Sequence, residues 1–445
     1  MPSTGSRGRL TRWLVAAVVV VLALGAALAV AILHKPRNVS HPNLEFTSPT
    51  VTQPPKPPPK AAVVPPFLWP RYGYDAARTR YFPNSRGLDP PFRRGWSYHG
   101  SSLLEFPPVI HGNSLFMLND SGLALALDKR TGRVLWQRHL GTLAAAAPAV
   151  GSGLVFLALL SRNPNAGQNP GNGRFVAVSQ QTGRVMWSRA IGPGTESSPL
   201  VWGPTVYFGD QGGTVHALRV SDGHELWTYH ANGAVKGGPS LSEGILYFGD
   251  YAGRAYAVRS SNGREVWAVG TNGAHFGFGS GEFYSTPAVA FGRVYMGNTD
   301  GRVYSFAAHS GQLAWATGTG AYVYASPAVA DTPGLGATVY IGSYDGNFYA
   351  FDARTGAVRW THPAGGKISG SSTIVGDVVY YADLGSKTTA GLDVRTGHQV
   401  FGFPEGSFNP VIADTGAIYL TGYGDLFQLL PRATAAGRTL QKPTQ

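Results

Sequence analysis

The chain has 445 residues with 36 Lys and Arg against 24 Asp and Glu, which gives a formal net charge of +12. Hydrophobic residues make up 43% and aromatic residues 12% of the chain, which excludes disorder over its whole length. Cysteine is absent, which excludes a disulfide framework, a cysteine-ligated zinc site, a cysteine nucleophile and a lipidated N-terminal cysteine.

The first predicted element is a transmembrane signal-anchor helix over residues 14–33, a run without a charged or polar side chain. As a helix it is about 30 Å long, which matches the hydrocarbon thickness of a bilayer. Basic residues flank it: Arg7, Arg9 and Arg12 before it, Lys35 and Arg37 after it. The slight excess before the run predicts a short cytoplasmic N-terminus, residues 1–13, and an exported remainder. Ala27-Leu28-Ala29 resembles a cleavage site, so secretion after cleavage is the alternative.

Residues 34–66 form a predicted proline-rich linker that contains SPTVTQPPKPPPK. Proline favours extended polyproline II structure, so a semi-rigid stalk is expected, and a PxxP-type ligand for a partner protein is the alternative. Residues 433–445 are predicted to be a flexible tail. These flanks hold most of the positive charge: residues 1–66 carry +6, residues 433–445 carry +2, and residues 67–432 carry +4. No basic cluster is visible in the central part, so no nucleic-acid partner is predicted.

A unit of about 44 residues recurs between residues 67 and 432. It ends in an alternating strand, a glycine turn and a strand that closes on Trp, as in LALALDKRTGRVLW, which ends at Trp136. The turn glycines follow Thr, Ser, Asp or Asn, as expected at tight hairpins with positive φ: Gly132, Gly183, Gly223, Gly263, Gly311, Gly356 and Gly397. An inner hairpin precedes each turn and usually opens with proline: Pro108, Pro148, Pro199, Pro239, Pro287, Pro327 and Pro410, with Thr373 in the remaining unit. Four short strands per unit and eight inner hairpins predict an eight-bladed β-propeller.

The ends of the array predict how the ring closes. The last unit runs out after its third strand, whereas FRRGWSYHG, which contains Trp96, precedes the first unit as an isolated strand. The predicted fold is therefore an all-β propeller of four-stranded antiparallel blades, closed by this N-terminal strand. The Trp residues of the outer strands are interpreted as packing between blades: Trp96, Trp136, Trp187, Trp227, Trp267, Trp315 and Trp360.

The repeat carries a family resemblance. The pattern A-x-D-x-x-T-G-x-x-x-W, found from Ala126 to Trp136 and from Ala350 to Trp360, resembles the repeat of pyrroloquinoline-quinone-like β-propellers, which include quinoprotein alcohol dehydrogenases and the assembly factor BamB. The segment WPRYGYDAARTRYFP, residues 69–83, resembles the lead-in of quinoprotein domains. The resemblance implies either a dehydrogenase with pyrroloquinoline quinone (PQQ) and Ca²⁺ in the central channel or a non-catalytic binding protein. The chain lacks the adjacent cysteines of many quinoprotein dehydrogenases and the lipidated cysteine of BamB-type proteins.

Searches for catalytic motifs find no HExxH, no GxSxG and no GxxxxGK[ST], so no catalytic residue and no metal site is predicted. Acidic residues recur in the turns of the inner hairpins: Asp120, Asp210, Asp250, Asp300, Asp345, Asp383 and Asp425. They suggest Ca²⁺, which takes several oxygen ligands. Hydrogen bonding within each turn is the preferred interpretation, because the carboxylates are dispersed over separate blades.

The position three residues before each proline, or its Thr equivalent, is expected on the innermost strand, near the central channel. Around the ring it reads Glu105, Ala145, Glu196, Lys236, Tyr284, Tyr324, Gly370 and Ser407. Glu105, Glu196, Lys236, Tyr284 and Tyr324 are the candidate channel-lining residues, suited to a polar small molecule or peptide. A hydrated lining without a ligand is the alternative. No cofactor is predicted apart from the PQQ and Ca²⁺ of the dehydrogenase hypothesis.

Two insertions interrupt the regular spacing, at residues 161–173 and 270–281, and propeller connectivity puts both on one face. Long loops on a rigid scaffold commonly carry binding residues. His275, Phe276 and Phe278 are the candidate partner contacts.

The function expected from these features is a non-catalytic binding or assembly scaffold in the cell envelope, anchored in the plasma membrane by a single helix with the propeller outside the cytoplasm. Envelope proteins or cell-wall components are the expected partners. A PQQ-dependent alcohol or sugar dehydrogenase is the alternative.

Overall fold

The computed structural model describes residues 13, 16–21, 38–49, 67–83, 87–160, 173–271, 281–406, 408–409 and 411–432. Within these residues the chain forms β strands joined by tight turns, apart from helical residues near the N-terminus. Four strands precede the first blade: β1 (Val39–Ser40), β2 (Leu68–Trp69), β3 (Tyr81–Phe82) and β4 (Phe92–His99).

Eight blades follow, each built around consecutive antiparallel strands and numbered here 1 to 8; β2 adds a fifth strand to blade 1, and β3 adds a parallel fifth strand to blade 7. Blade 1 contains β5 (Val109–His111), β6 (Ser114–Leu118), β7 (Leu123–Asp128) and β8 (Val134–His139), and blade 2 contains β9 (Ala149–Gly151), β10 (Leu154–Leu159), β11 (Arg174–Ser179) and β12 (Val185–Ala190). Blade 3 contains β13 (Leu200–Trp202), β14 (Thr205–Gly209), β15 (Thr214–Arg219) and β16 (Glu225–His230), and blade 4 contains β17 (Ser240–Ser242), β18 (Ile245–Gly249), β19 (Arg254–Arg259) and β20 (Glu265–Gly270). Blade 5 contains β21 (Ala288–Ala290), β22 (Arg293–Asn298), β23 (Arg302–Ala307) and β24 (Leu313–Gly318), and blade 6 contains β25 (Ala328–Thr332), β26 (Gly336–Gly342), β27 (Asn347–Asp352) and β28 (Val358–Pro363). Blade 7 contains β29 (Thr373–Val375), β30 (Val378–Asp383), β31 (Thr388–Asp393) and β32 (Gln399–Phe403), and blade 8 contains β33 (Val411–Ala413), β34 (Ile418–Thr421) and β35 (Asp425–Pro431).

The strand β4 completes blade 8, so the predicted closure is confirmed. It pairs antiparallel with β35, and its register runs from His99 opposite Asp425 to Phe92 opposite Pro431. The N-terminal strand thereby takes the place of the missing outer strand, and blade 8 acquires the same strand order as its neighbours. The predicted all-β, eight-bladed propeller is also confirmed.

A repeated contact between Trp and Gly joins neighbouring blades. The Nε1–H of Trp136 in blade 1 donates to the carbonyl of Gln180 in blade 2 at 2.8 Å, and its ring lies against Gly183. The seven turn glycines have φ between 66° and 73°, as predicted for these hairpins. Glycine is needed there because φ is positive and because a Cβ would meet the indole. In the last outer turn-and-strand unit Phe401 replaces Trp and packs edge-on against Phe92 at 5.5 Å.

The hydrophobic core lies between the blades. Strands β6, β7 and their counterparts are buried on both faces, as in Leu115, Leu125 and Phe208, because each middle strand packs against two neighbouring sheets. Phe175 in blade 2 stacks on Phe208 in blade 3 with ring centroids 4.0 Å apart. The outermost strands alternate between exposed and partly buried residues.

Residues 67–82 are called here the axial segment. They lie inside the ring and contact the inner strands of successive blades in order. β2 pairs with β5 of blade 1, the carbonyl of Pro70 accepts from Val150 in blade 2, and β3 pairs with β29 of blade 7. The carbonyls of Ala76, Ala77 and Thr79 accept from blades 4, 5 and 6 at Leu241, Val289 and Val329. Because this segment lies inside the ring, it occupies one end of the central channel.

Side chains of the axial segment reach the two remaining blades. Arg71 donates to the carbonyl of Val201 in blade 3 at 2.8 Å, and the Tyr72 hydroxyl donates to Asn409, next to blade 8, at 2.8 Å. Arg78 is fully buried and donates to the carbonyls of Pro239 and Ser198 at 2.7 and 2.8 Å. Burial lowers the pKa of Arg78 well below its usual value, with the nearby Arg80 and Arg71 adding to the shift.

Part of the predicted linker lies against blades 5 and 6. The His41 N–H donates to the carbonyl of Ala314 at 2.6 Å, and the Thr47 N–H donates to the carbonyl of Phe291 at 3.0 Å. Phe46 packs on Phe291 with ring centroids 6.0 Å apart. Residues 41–47 are therefore held on the propeller surface.

Near the N-terminus, residues 16–21 are helical and exposed. Within the ranges given above, no helix has the length and the apolar character needed to cross a bilayer. Most of the predicted span, residues 14–33, lies outside the described residues, as do the predicted tail and the middle of the linker. The membrane anchor stays a prediction.

Candidate functional site in the central channel

The five candidate channel-lining residues meet in one cavity, together with Tyr72 from the axial segment. They lie just before the innermost strands rather than within them. Pro108, for example, precedes β5, and the strand hydrogen bonds begin after it because proline has no N–H. Glu105, Glu196, Lys236, Tyr284 and Tyr324 therefore stand on the loops that enter the blades, at the end of the channel where these loops meet. This end is called the channel mouth.

Glu196 and Lys236, from the loops that enter blades 3 and 4, form an ion pair inside the channel. The Lys236 Nζ lies 2.9 Å from Oε1 of Glu196, and both side chains are largely buried. Gln211 donates to the same oxygen at 2.6 Å, and the Tyr284 hydroxyl donates to Oε2 at 3.4 Å. Both carboxylate oxygens thus have partners within the protein, which is what a buried charge requires.

Glu105 lies on the same cavity and has a different environment. Burial raises the pKa of Glu105 to about 7, with further increases from Glu196 and Asp120 and an opposing effect of Lys236. Its backbone carbonyl accepts from Asn409 at 2.8 Å, which fixes the loop that carries it. Near neutral pH the Glu105 carboxyl group can therefore either hold or release a proton.

Five tyrosines surround the channel mouth and are called here the tyrosine cluster: Tyr251, Tyr284, Tyr322, Tyr324 and Tyr344. Tyr324 is central, with its ring centroid 4.9 Å from Tyr344, 5.9 Å from Tyr284 and 6.0 Å from Tyr322. Burial raises the pKa of Tyr284 well above its usual value, and the nearby Glu105 and Glu196 add to the increase. The Tyr284 phenol is therefore neutral at physiological pH.

The other residues singled out from the sequence do not gather at this site. Gly370 lines the cavity and Ala145 does not, while Ser407 lies outside the described residues. His275, Phe276 and Phe278 also lie outside them. Most of the turn aspartates bond to their own turns, as when Asp210 accepts from the N–H groups of Gly212 and Thr214 at 2.9 and 2.8 Å. Asp120 and Asp425 bond instead to Ser102 and His99.

The described channel residues do not fit a Ca²⁺-bound PQQ. PQQ is a polycarboxylate, and the cavity lining contains two carboxyl groups, Glu105 and Glu196, against a single cation, Lys236, which Glu196 already binds. Over the described part of the chain, no three His, Asp or Glu side chains come together in a way that could hold a metal ion. Among the described lining residues, an anionic cofactor would therefore meet more negative than positive groups, and Ca²⁺ would find no cluster of three carboxylates.

Sequence reasoning missed several residues of the site, namely Gln211, Tyr251, Glu282, Tyr322 and Tyr344. Gln211, Tyr251 and Tyr344 are adjacent to turn aspartates, in the loops between the second and third strands of their blades. The prediction from the sequence used only the loops before the prolines. A side chain next to each turn aspartate was the signal that could have found three of them.

Comparison with known proteins gives a family and a fold. A family model described as outer membrane protein assembly factor BamB matches residues 87–235 and 222–434. The outer membrane protein assembly factor BamB of Xanthomonas campestris pv. campestris is 32% identical over 117 residues, which are 26% of this chain and 26% of that protein. The alignment thus spans about a quarter of the length of this curated relative.

Solved structures share the propeller. The crystal structure of BamB from Moraxella catarrhalis has a TM-score of 0.61 at 17% identity and covers 77% of this chain and 98% of its own. A quinohemoprotein alcohol dehydrogenase from Comamonas testosteroni has a TM-score of 0.67 at 14% identity and covers 84% of this chain and 82% of its own. At these identities the likeness shows the fold and leaves the activity open. Since the family model covers most of the propeller domain, the chain belongs to the family described as outer membrane protein assembly factor BamB.

Proposed function

We propose that this protein is a non-catalytic binding and assembly scaffold of the cell envelope, which presents its channel mouth to a partner. The expected partners are envelope proteins or cell-wall components. The family supports this kind of partner, because its description names an assembly factor for outer membrane proteins.

The observation that carries the proposal is the Glu196–Lys236 ion pair. Its charges are satisfied by each other, by Gln211 and by Tyr284, so neither group needs a ligand to balance its charge. A catalytic acid or base needs a position from which it can reach a reacting atom. The internal pairing favours a structural role for these two residues and binding at the mouth above them.

The architecture supports rigid presentation of that mouth. The axial segment lies inside the ring, bonds to its inner strands and borders the cavity through Tyr72. The contacts between Trp and Gly lock neighbouring blades, which holds the loops in fixed relative positions. A preorganised surface of this kind binds without a large cost of ordering.

An envelope location is part of the proposal. It is supported by the predicted anchor over residues 14–33 and by the family description. In this arrangement the propeller stands outside the cytoplasm, on the predicted linker.

Proximity labelling in the native envelope tests the proposal. A labelling enzyme is fused to the C-terminus of the full chain, and the control fuses the same enzyme to residues 1–66 alone. We expect envelope proteins or wall-synthesis proteins to be enriched with the full chain over the control. An identical labelled set from both fusions would contradict the scaffold function.

The alternative is a PQQ-dependent alcohol or sugar dehydrogenase. It is favoured by the fold shared with quinohemoprotein alcohol dehydrogenase and by a channel carboxyl group, Glu105, with a pKa of about 7. Reconstitution of the purified chain with PQQ and Ca²⁺, followed by a dye-linked assay with alcohols and sugars, separates the two. We expect no dye reduction; reduction above the level of free PQQ would establish the dehydrogenase instead.

A further inference from the structure

A second cavity opens beside the channel mouth, between blades 4, 5 and 6. The described residues that line it are Tyr251, Gly281, Glu282, Thr299, Asp300, Tyr322 and Tyr324. Three aromatic rings and two carboxyl groups thus line one opening.

The rings are set at steep angles to one another. Tyr322 and Tyr324 are nearly perpendicular, at 89°, with centroids 6.0 Å apart. Tyr322 is 53% exposed, so its ring is free to contact a ligand that enters from solvent. Perpendicular aromatic walls with a negative group nearby are the arrangement with which proteins recognise organic cations.

The protein's own ammonium groups already lie on rings of this cluster. The Nζ of Lys236 lies 4.6 Å from the centroid of Tyr251, and the Nζ of Lys367 lies 5.5 Å from that of Tyr344. These distances are within the range of favourable cation–π contacts. Two lysine ammonium groups of the protein itself therefore contact rings of the tyrosine cluster, beside the cavity.

The charges around the cavity favour a further cation. Lys236 is neutralised by Glu196. Asp300 is engaged, since it accepts from the Tyr304 hydroxyl and from the backbone N–H of Arg302. Glu282 differs: its backbone bonds to Thr299, and no hydrogen bond to its carboxylate is found among the described residues. The Glu282 carboxylate is thus available to accept from an ammonium group.

We propose that the cavity formed by Tyr251, Tyr322, Tyr324, Glu282 and Asp300 binds an alkylammonium group, with its methylene carbons against the tyrosine rings and its N–H groups directed to Glu282. The group would come from a lysine side chain of a partner polypeptide or from a free amine. The inference extends the proposed function by naming the chemistry recognised at the channel mouth, and it depends on that function only for the identity of the partner.

Ligand-observed NMR on the full-length chain in a nonionic detergent tests the proposal. The probes are N-acetyl-lysine N-methylamide, n-butylamine and the neutral N-acetyl-norleucine N-methylamide. We expect saturable binding of both amines and none of the norleucine compound. Tighter binding of the lysine probe than of butylamine would point to a polypeptide source, and equal binding to the ammonium group alone.

Three variants locate the site. Glu282→Gln removes the negative charge at nearly constant shape and is expected to weaken binding about tenfold, as for a hydrogen bond to a charged group. Tyr322→Ala changes an exposed ring and is expected to weaken binding about threefold to fivefold. Glu243→Gln is the matched control, because Glu243 is an exposed glutamate in the hairpin between β17 and β18, at the opposite end of blade 4.

The results that overturn the proposal are distinct. Absence of saturable binding of both amines, or equal binding of the neutral norleucine compound, would exclude an ammonium site. Equal weakening by Glu282→Gln and Glu243→Gln would show a general charge effect instead of a site. Near-ultraviolet circular dichroism of each variant verifies the fold. The scaffold function is tested separately by proximity labelling, so either can fail without the other.

Discussion

The indole of Trp227 in blade 3 lies against Gly263, the turn glycine of blade 4: a Cβ on Gly263 would be 2.6 Å from Cε3 of the ring. The same Trp donates its Nε1–H to the carbonyl of Ser260 at 3.0 Å. One side chain thus contacts both sides of a tight turn in the neighbouring blade, and the turn leaves no room for a larger residue.

Gly263→Ala should therefore destabilise the propeller more than the same substitution at a glycine that also has a positive φ but has no side chain next to it. Gly244, also in blade 4, has φ of 77° and open space around its Cα, so Gly244→Ala should cost about 1 kcal/mol for the backbone. Gly263→Ala should cost about 1 to 3 kcal/mol more, because the indole must shift. Thermal unfolding of both variants measures the difference, and equal melting temperatures would contradict the steric argument.

Replacing a buried blade Trp should cost far more than replacing an exposed one. Trp315 is fully buried and donates to the carbonyl of Ala353 at 2.9 Å, so Trp315→Ala should cost about 3 to 5 kcal/mol. Trp202 is 55% exposed, and Trp202→Ala should cost less than about 0.5 kcal/mol. Denaturant titration followed by far-ultraviolet circular dichroism gives both values. A similar loss in the two variants would argue against packing between blades as the role of Trp315.

The channel ion pair should show strong coupling in a double-mutant cycle. Glu196→Gln or Lys236→Met alone leaves one largely buried charge without its partner and should cost about 3 to 5 kcal/mol. The double variant should recover much of this loss, since neither charge is then buried. Melting temperatures of the four proteins test the coupling, and additive losses would show that the two side chains act independently.

Stability should fall with rising pH because of Glu105. Its folded pKa of about 7 lies above the ordinary value of 4.5, since burial disfavours the charged form. The folded protein therefore binds the proton more tightly than the unfolded chain between these two values, and stability is lost as pH rises from about 4.5 to about 7. The loss is on the order of 2 to 3 kcal/mol.

Glu105→Gln removes this titration while keeping the size of the side chain. The variant should gain stability relative to the parent as pH rises from 4.5 to 7.5, and melting curves at a series of pH values measure the gap. Asp377→Asn serves as the control, because Asp377 is an exposed acidic residue in the hairpin between β29 and β30. A gap that does not change with pH would contradict the raised pKa.

The attachment of residues 41–47 to the propeller should depend on Phe46. Its ring packs on Phe291, and Arg293 lies over its face with the guanidinium carbon 5.7 Å from the centroid. In Phe46→Ala the amides of His41 and Thr47, which bond to Ala314 and Phe291, should exchange with solvent much faster. Hydrogen exchange with mass spectrometry reports this, with the peptide around Val155 as an internal reference. Unchanged exchange at residues 41–47 would mean that the backbone bonds suffice.

The repeat made most of the fold predictable. Each turn glycine and each Trp can be recognised locally in the sequence. The last blade lacks its own outer strand, and Trp96 identified the N-terminal strand that supplies it. The order of the axial segment was not predictable in the same way. Its contacts are mainly backbone carbonyls and the buried guanidinium of Arg78, which depend on a completed ring and leave no periodic pattern.

The site was predictable in part for a related reason. Glu196 and Lys236 occupy equivalent positions in the loops of adjacent blades, so the spacing of the repeat was enough to predict that they lie close together. Tyr251 and Glu282 come from different kinds of loop, and they meet only because the blades are stacked around the axis. The raised pKa of Glu105 likewise depends first on burial and then on Glu196 from another blade, which no local pattern reveals.

The axial segment contacts blades 1 to 7 in the order in which the ribosome makes them, from Leu68 at blade 1 to Arg80 at blade 7. Bonds from the segment thus tie successive positions of a short peptide to successive blades. A chain with a repeat deleted or duplicated would leave a position of the segment without its blade, or a blade without its position. Gain or loss of a single repeat would therefore break these contacts.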